Sequence, residues 1–378
     1  MNKYKIKKIK KLSDALEIHW QDGFQAIFHY IWLRDNDART QVSIGQNSND
    51  ILSISLDIKP VAVSVQDTLD IVWDADGAIS HIDPAWLRAH SYTPAEKSKR
   101  KFALTYWKAT DFTEGLTYYN YQELVQEKHI MRNMLQHCRD FGFAVLHNVP
   151  NEEKMVLKVL KHFGYPRVTH HNTLWDITLK PASEDIGYRN SVLPGHVDQP
   201  YRRILPTMTL LHFMANNVAQ GDSTLVDGFY LAEQLRQHHP TVFHLLSTRP
   251  VTYLYRDDDT EFCHEGTIIE LDSRGQVIQV RMNSFSIQPF DMHPDDMLAF
   301  YRAYQTWGFM MQDPVNQLTV KLDAGQILIL DNLRILHGRL GYTNTQDAER
   351  HVQGCFSDQD DFWSKLAVLN RDLGVNKA

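Results

Sequence analysis

Cysteine is scarce: Cys138, Cys263 and Cys355 are the only three in 378 residues, an odd number set far apart. They can build neither a disulfide framework nor a zinc finger, so a reducing, cytoplasmic setting is expected. Long apolar runs are missing too. The basic start Met1-Asn2-Lys3-Tyr4-Lys5-Ile6-Lys7-Lys8 leads into no apolar core, and nowhere do about 18 apolar residues stand together. Neither export nor a membrane-spanning helix is expected. Positive charge is not in excess, since 39 Lys and Arg against 46 Asp and Glu give a formal net charge of −7. With no run of like charge beyond the N-terminal lysines, nucleic acid and anionic membranes are poor partners.

What remains is an ordinary globular composition, 43% hydrophobic and 22% charged, in a chain long enough for two domains that each bury a core. The surplus is in rings: 19 His, 8 Trp, 16 Tyr and 17 Phe. Composition alone leaves open whether they fill a core or perform chemistry.

Residues 1–100 read as a small β-rich N-terminal domain. Strands are expected over 15–20, 24–32, 61–65 and 68–73, with turns at Asp22-Gly23 and Asp76-Gly77. Those turns lead to Trp32-Leu33 and Trp86-Leu87 at the same internal spacing, a quasi-repeat that two chance-alike hairpins would also produce. The polar, basic stretch from Ser91 to Lys101 marks the boundary, and the second domain is placed at 115–378. It opens with two amphipathic helices. Leu124, Met131, Met134, Leu135 and Cys138 share a face between Tyr121 and Asp140; Met155, Val156, Val159, Leu160 and Phe163 share another after an Asn151 cap, ended by Gly164 and Pro166. A buried-strand run, 142–147, lies between them. From about Val192 short strands dominate, over 207–213, 223–226, 267–271, 277–282, 318–322 and 326–330, interrupted by helices at 229–238 and 294–313. The expected fold class is mainly β with flanking helices, a closed or double-sheet architecture such as a jelly roll.

Pro194-Gly195-His196-Val197-Asp198 sets a His and an Asp two residues apart at the end of an extended segment, where period-two geometry turns both to one side. Leu336-His337-Gly338 offers a third ligand, after an apolar strand and an Asp331-Asn332 turn, at an edge position facing a cavity. Two imidazoles and one carboxylate with positions left open form the facial triad of non-haem Fe(II) oxygenases. On its own, His-x-Asp says little in a chain with 19 His. Arg350 adds to it, 13 residues after His337, in an alternating segment expected to pair beside the His337 strand and aim a guanidinium into the same cavity. Such a fork suits the distal carboxylate of a chelating keto acid, although alone Arg350 reads as a surface strand residue. Zinc is the rival metal. The same ligands with a water could hydrolyse, but a buried Arg has no role in a simple hydrolase.

Taken together, Trp32-Leu33-Arg34-Asp35-Asn36, His196-Val197-Asp198-Gln199-Pro200-Tyr201, the run from Gly221 to Phe229, and Asp331 to Arg339 through Arg350 resemble the γ-butyrobetaine dioxygenase family, in order over nearly the whole chain. In the catalytic part the resemblance extends to trimethyllysine and taurine dioxygenases. It implies a double-stranded β-helix (jelly-roll) domain, with Fe(II) held by His196, Asp198 and His337. It further implies 2-oxoglutarate chelating the iron with its far carboxylate on Arg350, and hydroxylation of an unactivated C–H with O2 consumed and succinate and CO2 released. The protein's share is positioning and exclusion of side reactions. Ser223 or Thr224 could hydrogen-bond the oxoacid or serve only as strand residues. A homodimer is implied by the same likeness.

The family's substrate carries a trimethylammonium group, recognised by aromatic faces through cation–π attraction. Matched without gaps, Trp175 and Tyr188 fall on cage positions, Phe356 falls near the pocket, and Tyr201 is a further wall; each ring alone would read as core. His171 and Thr178 stand where the family has further rings, and Asp185 where it has an Asn. Asn283 matches a position that contacts the substrate's carboxylate, with Arg281 or Arg189 to assist. The resemblance also implies a structural zinc in animal members' small domain. Here Asp37-Ala38-Arg39-Thr40 follows the Trp32 motif without cysteine, and no zinc is expected. The expected activity is hydroxylation of γ-butyrobetaine to L-carnitine. Another quaternary ammonium compound, trimethyllysine or a trimethylammonium phosphonate, is the alternative that Asp185 keeps open. A catalytically dead betaine-binding protein is the alternative from another class, against which the intact triad and Arg350 argue.

Overall fold

A computed structural model describes residues 4–37, 50–99, 104–178, 189–343 and 349–375. The chain forms two compact units that divide between residues 103 and 104.

The first unit holds two three-stranded antiparallel sheets, Ile6–Lys11, Ala15–Trp20 and Gln25–His29, then Pro60–Val65, Leu69–Trp73 and Ile79–Ile82. Alternation makes the strands: Ala26 and Phe28 are buried between exposed neighbours, as are Ser80 and Ile82. A helix of six residues follows each sheet, Tyr30–Asp35 and Pro84–Ala89. The strand expected through Trp32 therefore stops at His29, where burial switches to an i, i+3 pattern at Tyr30 and Leu33. The quasi-repeat is structural. Arg34 of the first helix donates to Asp76 in the second turn at 2.9 Å, and Arg88 of the second helix donates to Asp22 in the first turn at 3.1 Å. Trp32 and Trp86 face one another, ring centroids 5.8 Å apart.

The second unit is mainly β with helices on its outside. A six-stranded sheet runs in the order Tyr118–Asn120, Phe143–His147, Gln326–Asp331, Met208–Asn216, Arg350–Ser357, Trp175–Thr178. A four-stranded sheet runs Leu193–His196, Ile335–Arg339, Ser223–Asp227, Leu318–Val320. One apolar cluster joins them: Leu211, Phe213, Leu328 and Leu330 of the larger sheet pack with Leu225, Val320 and Ile335 of the smaller. The other face of the larger sheet, Met208, Leu210, Ile327 and Ile329, is covered by Met134, Leu135 and Cys138 of the helix Lys128–Phe141 and by Phe362 and Leu366 of Gln359–Asp372.

Several local expectations are corrected. The helix expected from Tyr121 breaks at Glu127, whose backbone is extended, into Tyr121–Gln126 and Lys128–Phe141. Asn151 does not cap Met155–Leu160; its amide donates to the carbonyl of Met214, and Lys154 holds the cap position. The helix Pro240–Thr248 and the hairpin Val251–Arg256 with Glu261–Gly266 add to the elements expected from sequence.

Candidate active site

His196 ends the strand Leu193–His196 and pairs across it with His337 on Ile335–Arg339. The latter strand is not at an edge: it is hydrogen-bonded on both sides, by Leu193–His196 and Ser223–Asp227. Gly338 makes that pairing possible, since a Cβ there would meet Thr224 Oγ1 at 2.8 Å and Gly195 N at 3.1 Å. Asp198 lies just past the strand, in a turn clamped by Asn332. The Asn332 side chain accepts from Asp198 N–H at 2.8 Å and donates to the carbonyls of Asp198 and Pro206 at 3.1 and 2.8 Å.

The three donor groups converge, one atom of each lying within 4.8 Å of the others, the one such cluster among the described residues. Both Asp198 oxygens face imidazole Nε2 atoms, of His196 and of His337, each at 3.6 Å. His196 Nδ1 lies 3.0 Å from Pro194 O, and a carbonyl can only accept, so the Nε2 lone pair is the one left for a ligand. Burial pushes His337 down to about 4, beyond what the Asp198 charge restores, so it stands neutral. Burial alone would raise Asp198, but His337, His196 and the Thr209 hydroxyl together hold it at about 2. Two imidazoles and one ionised carboxylate fit a divalent first-row metal ion.

These groups open on a cavity of about 570 Å³. Arg350 lines it, but its strand belongs to the other sheet, pairing with Met208–Asn216 and Trp175–Thr178 rather than with the His337 strand. His337 and Arg350 thus line the cavity from two different sheets. Burial first, then the neighbouring Arg339, pushes Arg350 down to about 10. Its Nε has no partner among the described residues, and its guanidinium sits 5.5 Å over the Phe213 ring. Arg339 also lines the cavity, its guanidinium held by the carbonyls of Arg189 and Ser191. Arg350, part-buried with its Nε unmet among the described residues, is able to receive an anion there.

The remaining residues expected at the site divide. Trp175, Tyr201, Asn283, Phe356, Ser223 and His171 line the cavity. Thr224 points to the opposite side of its strand, against Gly338. Tyr188 and Asp185 lie outside the described residues. Tyr201 also stacks on the hairpin rings Tyr255 and Phe262, at 5.0 and 6.0 Å. Arg281 serves the turn after Asp198 instead of the cavity, donating to the carbonyls of Pro200 and Arg202 at 2.5 and 2.9 Å. Sequence reasoning passed over Gln199. It lines the cavity at 4% exposure, with φ at +54°, and both its amide atoms lack a partner among the described residues. Buried unsatisfied groups in strained backbone gather at functional sites; its place beside Asp198 was the available signal.

The profile of the family described as taurine catabolism dioxygenase TauD, TfdA family matches residues 103–356, which makes the chain a dioxygenase of that class. A γ-butyrobetaine dioxygenase of Pseudomonas sp. (strain AK-1) is 32% identical over 95% of this chain and 94% of its own. A trimethyllysine dioxygenase of Meyerozyma guilliermondii is 31% identical over 97% and 96%, and the γ-butyrobetaine dioxygenase of Homo sapiens is 26% identical over 97% of both. Within its class the chain belongs to the γ-butyrobetaine dioxygenase family. Among solved structures, an asparagine oxygenase aligns with a TM-score of 0.49 at 15% identity, over 62% of this chain and 82% of that one.

Proposed function

We propose that this chain hydroxylates a small trimethylammonium compound, γ-butyrobetaine first, to L-carnitine, on a double-stranded β-helix scaffold. The observation that carries the reading is the meeting of the His196, Asp198 and His337 donors with a part-buried Arg350, its Nε without a partner among the described residues, in one cavity walled by Trp175 and Phe356. The triad would hold Fe(II), and Arg350 the far carboxylate of 2-oxoglutarate, with Ser223 beside it. Bound Fe(II) with 2-oxoglutarate and O2 supplies the oxidising power for C–H hydroxylation, releasing succinate and CO2. The chain's own residues orient and exclude. The rings of Trp175, Tyr201 and Phe356 would present π-faces to a head group that cannot donate hydrogen bonds. Asn283 and Gln199 would supply amide N–H donors to the anionic end. Trimethyllysine is the second reading, favoured by the 31% identity to the Meyerozyma trimethyllysine dioxygenase.

Succinate release from 2-oxoglutarate, measured with Fe(II) across a panel of trimethylammonium compounds, tests the proposal. γ-Butyrobetaine is expected to stimulate turnover most, and His196→Ala to abolish it. No stimulation by any betaine, or full turnover in the His196 variant, would sink the reading.

A further inference from the structure

Arg350, Val352, Gly354 and Phe356 share one face of their strand, because side chains two residues apart point the same way. Three of them line the cavity, and the fourth has no side chain. Gly354 is the cross-strand partner of Trp175. The indole lies over it: a Cβ added at Gly354 would meet the face of the six-membered ring, 2.1–2.4 Å from Cη2, Cζ2 and Cζ3. The ring bridges the gap in the row and packs on Phe356, centroids 5.3 Å apart. Its Nε1 is buried with no partner among the described residues, so no hydrogen bond from the indole fixes the ring. The shape of the strand does.

We infer that Gly354 is a positioning residue for substrate recognition: its missing side chain is the slot that seats the Trp175 indole flush in the cavity wall. The inference rests on the reading of Trp175 as a wall for the cationic head group. In a close-packed interior a methyl has no free space to enter, so alanine lifts the ring off the strand and moves its π-face relative to the bound cation. Cation–π attraction requires the charge within about 6 Å of the ring centroid, so a displaced ring loses it. A glycine paired with an aromatic across strands also serves sheet packing. That role alone would lower stability and disturb every ligand alike.

The test is kinetics of the full chain as Gly354→Ala, Trp175→Phe and the double variant, with the trimethylammonium substrate and its neutral tert-butyl isostere. Gly354→Ala is expected to raise KM for the cationic substrate roughly 10-fold, with kcat within about twofold, and to erase the preference over the isostere. KM for 2-oxoglutarate should not move. In the Trp175→Phe background, where the smaller ring leaves the slot free, the same substitution should add less than about twofold. Additive losses in the two backgrounds, or equal losses for substrate and 2-oxoglutarate, overturn the inference. Thermal unfolding separates this from the functional reading, because the alanine penalty in Tm should likewise vanish with Trp175→Phe. Equal penalties in both backgrounds overturn the slot, whereas absence of turnover by the unmodified chain overturns only the substrate reading. If Gly354→Ala does not fold, Trp175→Phe should restore folding, and a double variant that also fails to fold overturns the slot.

Discussion

At the scale of single residues the site depends on side chains that hold the ligands as much as on the ligands. Asn332 makes three hydrogen bonds around the Asp198 turn and reaches no ligand atom itself. Partners of this kind are typically worth ~10- to 100-fold in metal affinity. Asn332→Ala should weaken Fe(II) or Co(II) binding by about that factor, read by anaerobic titration, while the protein stays folded; unchanged affinity would place the clamp outside metal binding. The ligands were legible because His-x-Asp and a later His are compact patterns tied to one chemistry. Gln199 was hard to read, since an amide without partners is a property of the folded neighbourhood, and its place beside Asp198 was the one mark the chain carried. Gly354 was invisible for the same reason, its meaning residing in the strand alongside.

At the scale of elements, the strand carrying His337 is positioned from its first turn. Arg334 and Asp227 form a two-point ion pair, Nε to Oδ1 at 3.0 Å and Nη2 to Oδ2 at 2.7 Å, at 1% and 0% side-chain exposure. Arg334 also donates to the carbonyls of Asp140 and Thr105 at 2.9 and 2.6 Å, tying the smaller sheet to the last turn of the helix Lys128–Phe141 and to the segment at Thr105. Removing one partner strands a buried charge, so Asp227→Ala should cost about 3–5 kcal/mol in denaturant unfolding. A loss below about 1 kcal/mol would mean that the remaining carbonyls satisfy the guanidinium alone. Strands with clear alternation and helices with a broad apolar face were readable from sequence. The partner sheet of Arg350 was not: thirteen residues after His337 suffice for a hairpin or for a crossing, and spacing alone does not choose. Six-residue helices such as Tyr30–Asp35 are under two turns long, too short for a 3.6-residue period to show.

At the scale of the whole molecule, acid should act through buried imidazoles. His212 is fully buried on the central strand Met208–Asn216, its two ring nitrogens without partners among the described residues; burial, with His351 nearby, pushes it down to about 4. Its unfolded counterpart takes up a proton near the ordinary value of about 6.5. The unfolded state therefore binds protons first as pH falls, and stability present above about 6.5 is lost between there and about 4. Tm should drop across that window, and His212→Leu should flatten the drop; an unchanged slope in the variant would assign the effect to other groups. The strands and turns of the first unit were readable from its alternation, but how its two halves engage shows only in the fold. Each turn aspartate, Asp22 or Asp76, answers to the arginine of the other half. Such exchange is indifferent to order along the chain: a permuted unit with the second half preceding the first would form the same two bonds. Replacing either arginine would cut a link between segments more than forty residues apart in the chain, while the aspartate it leaves keeps water and a backbone N–H as partners.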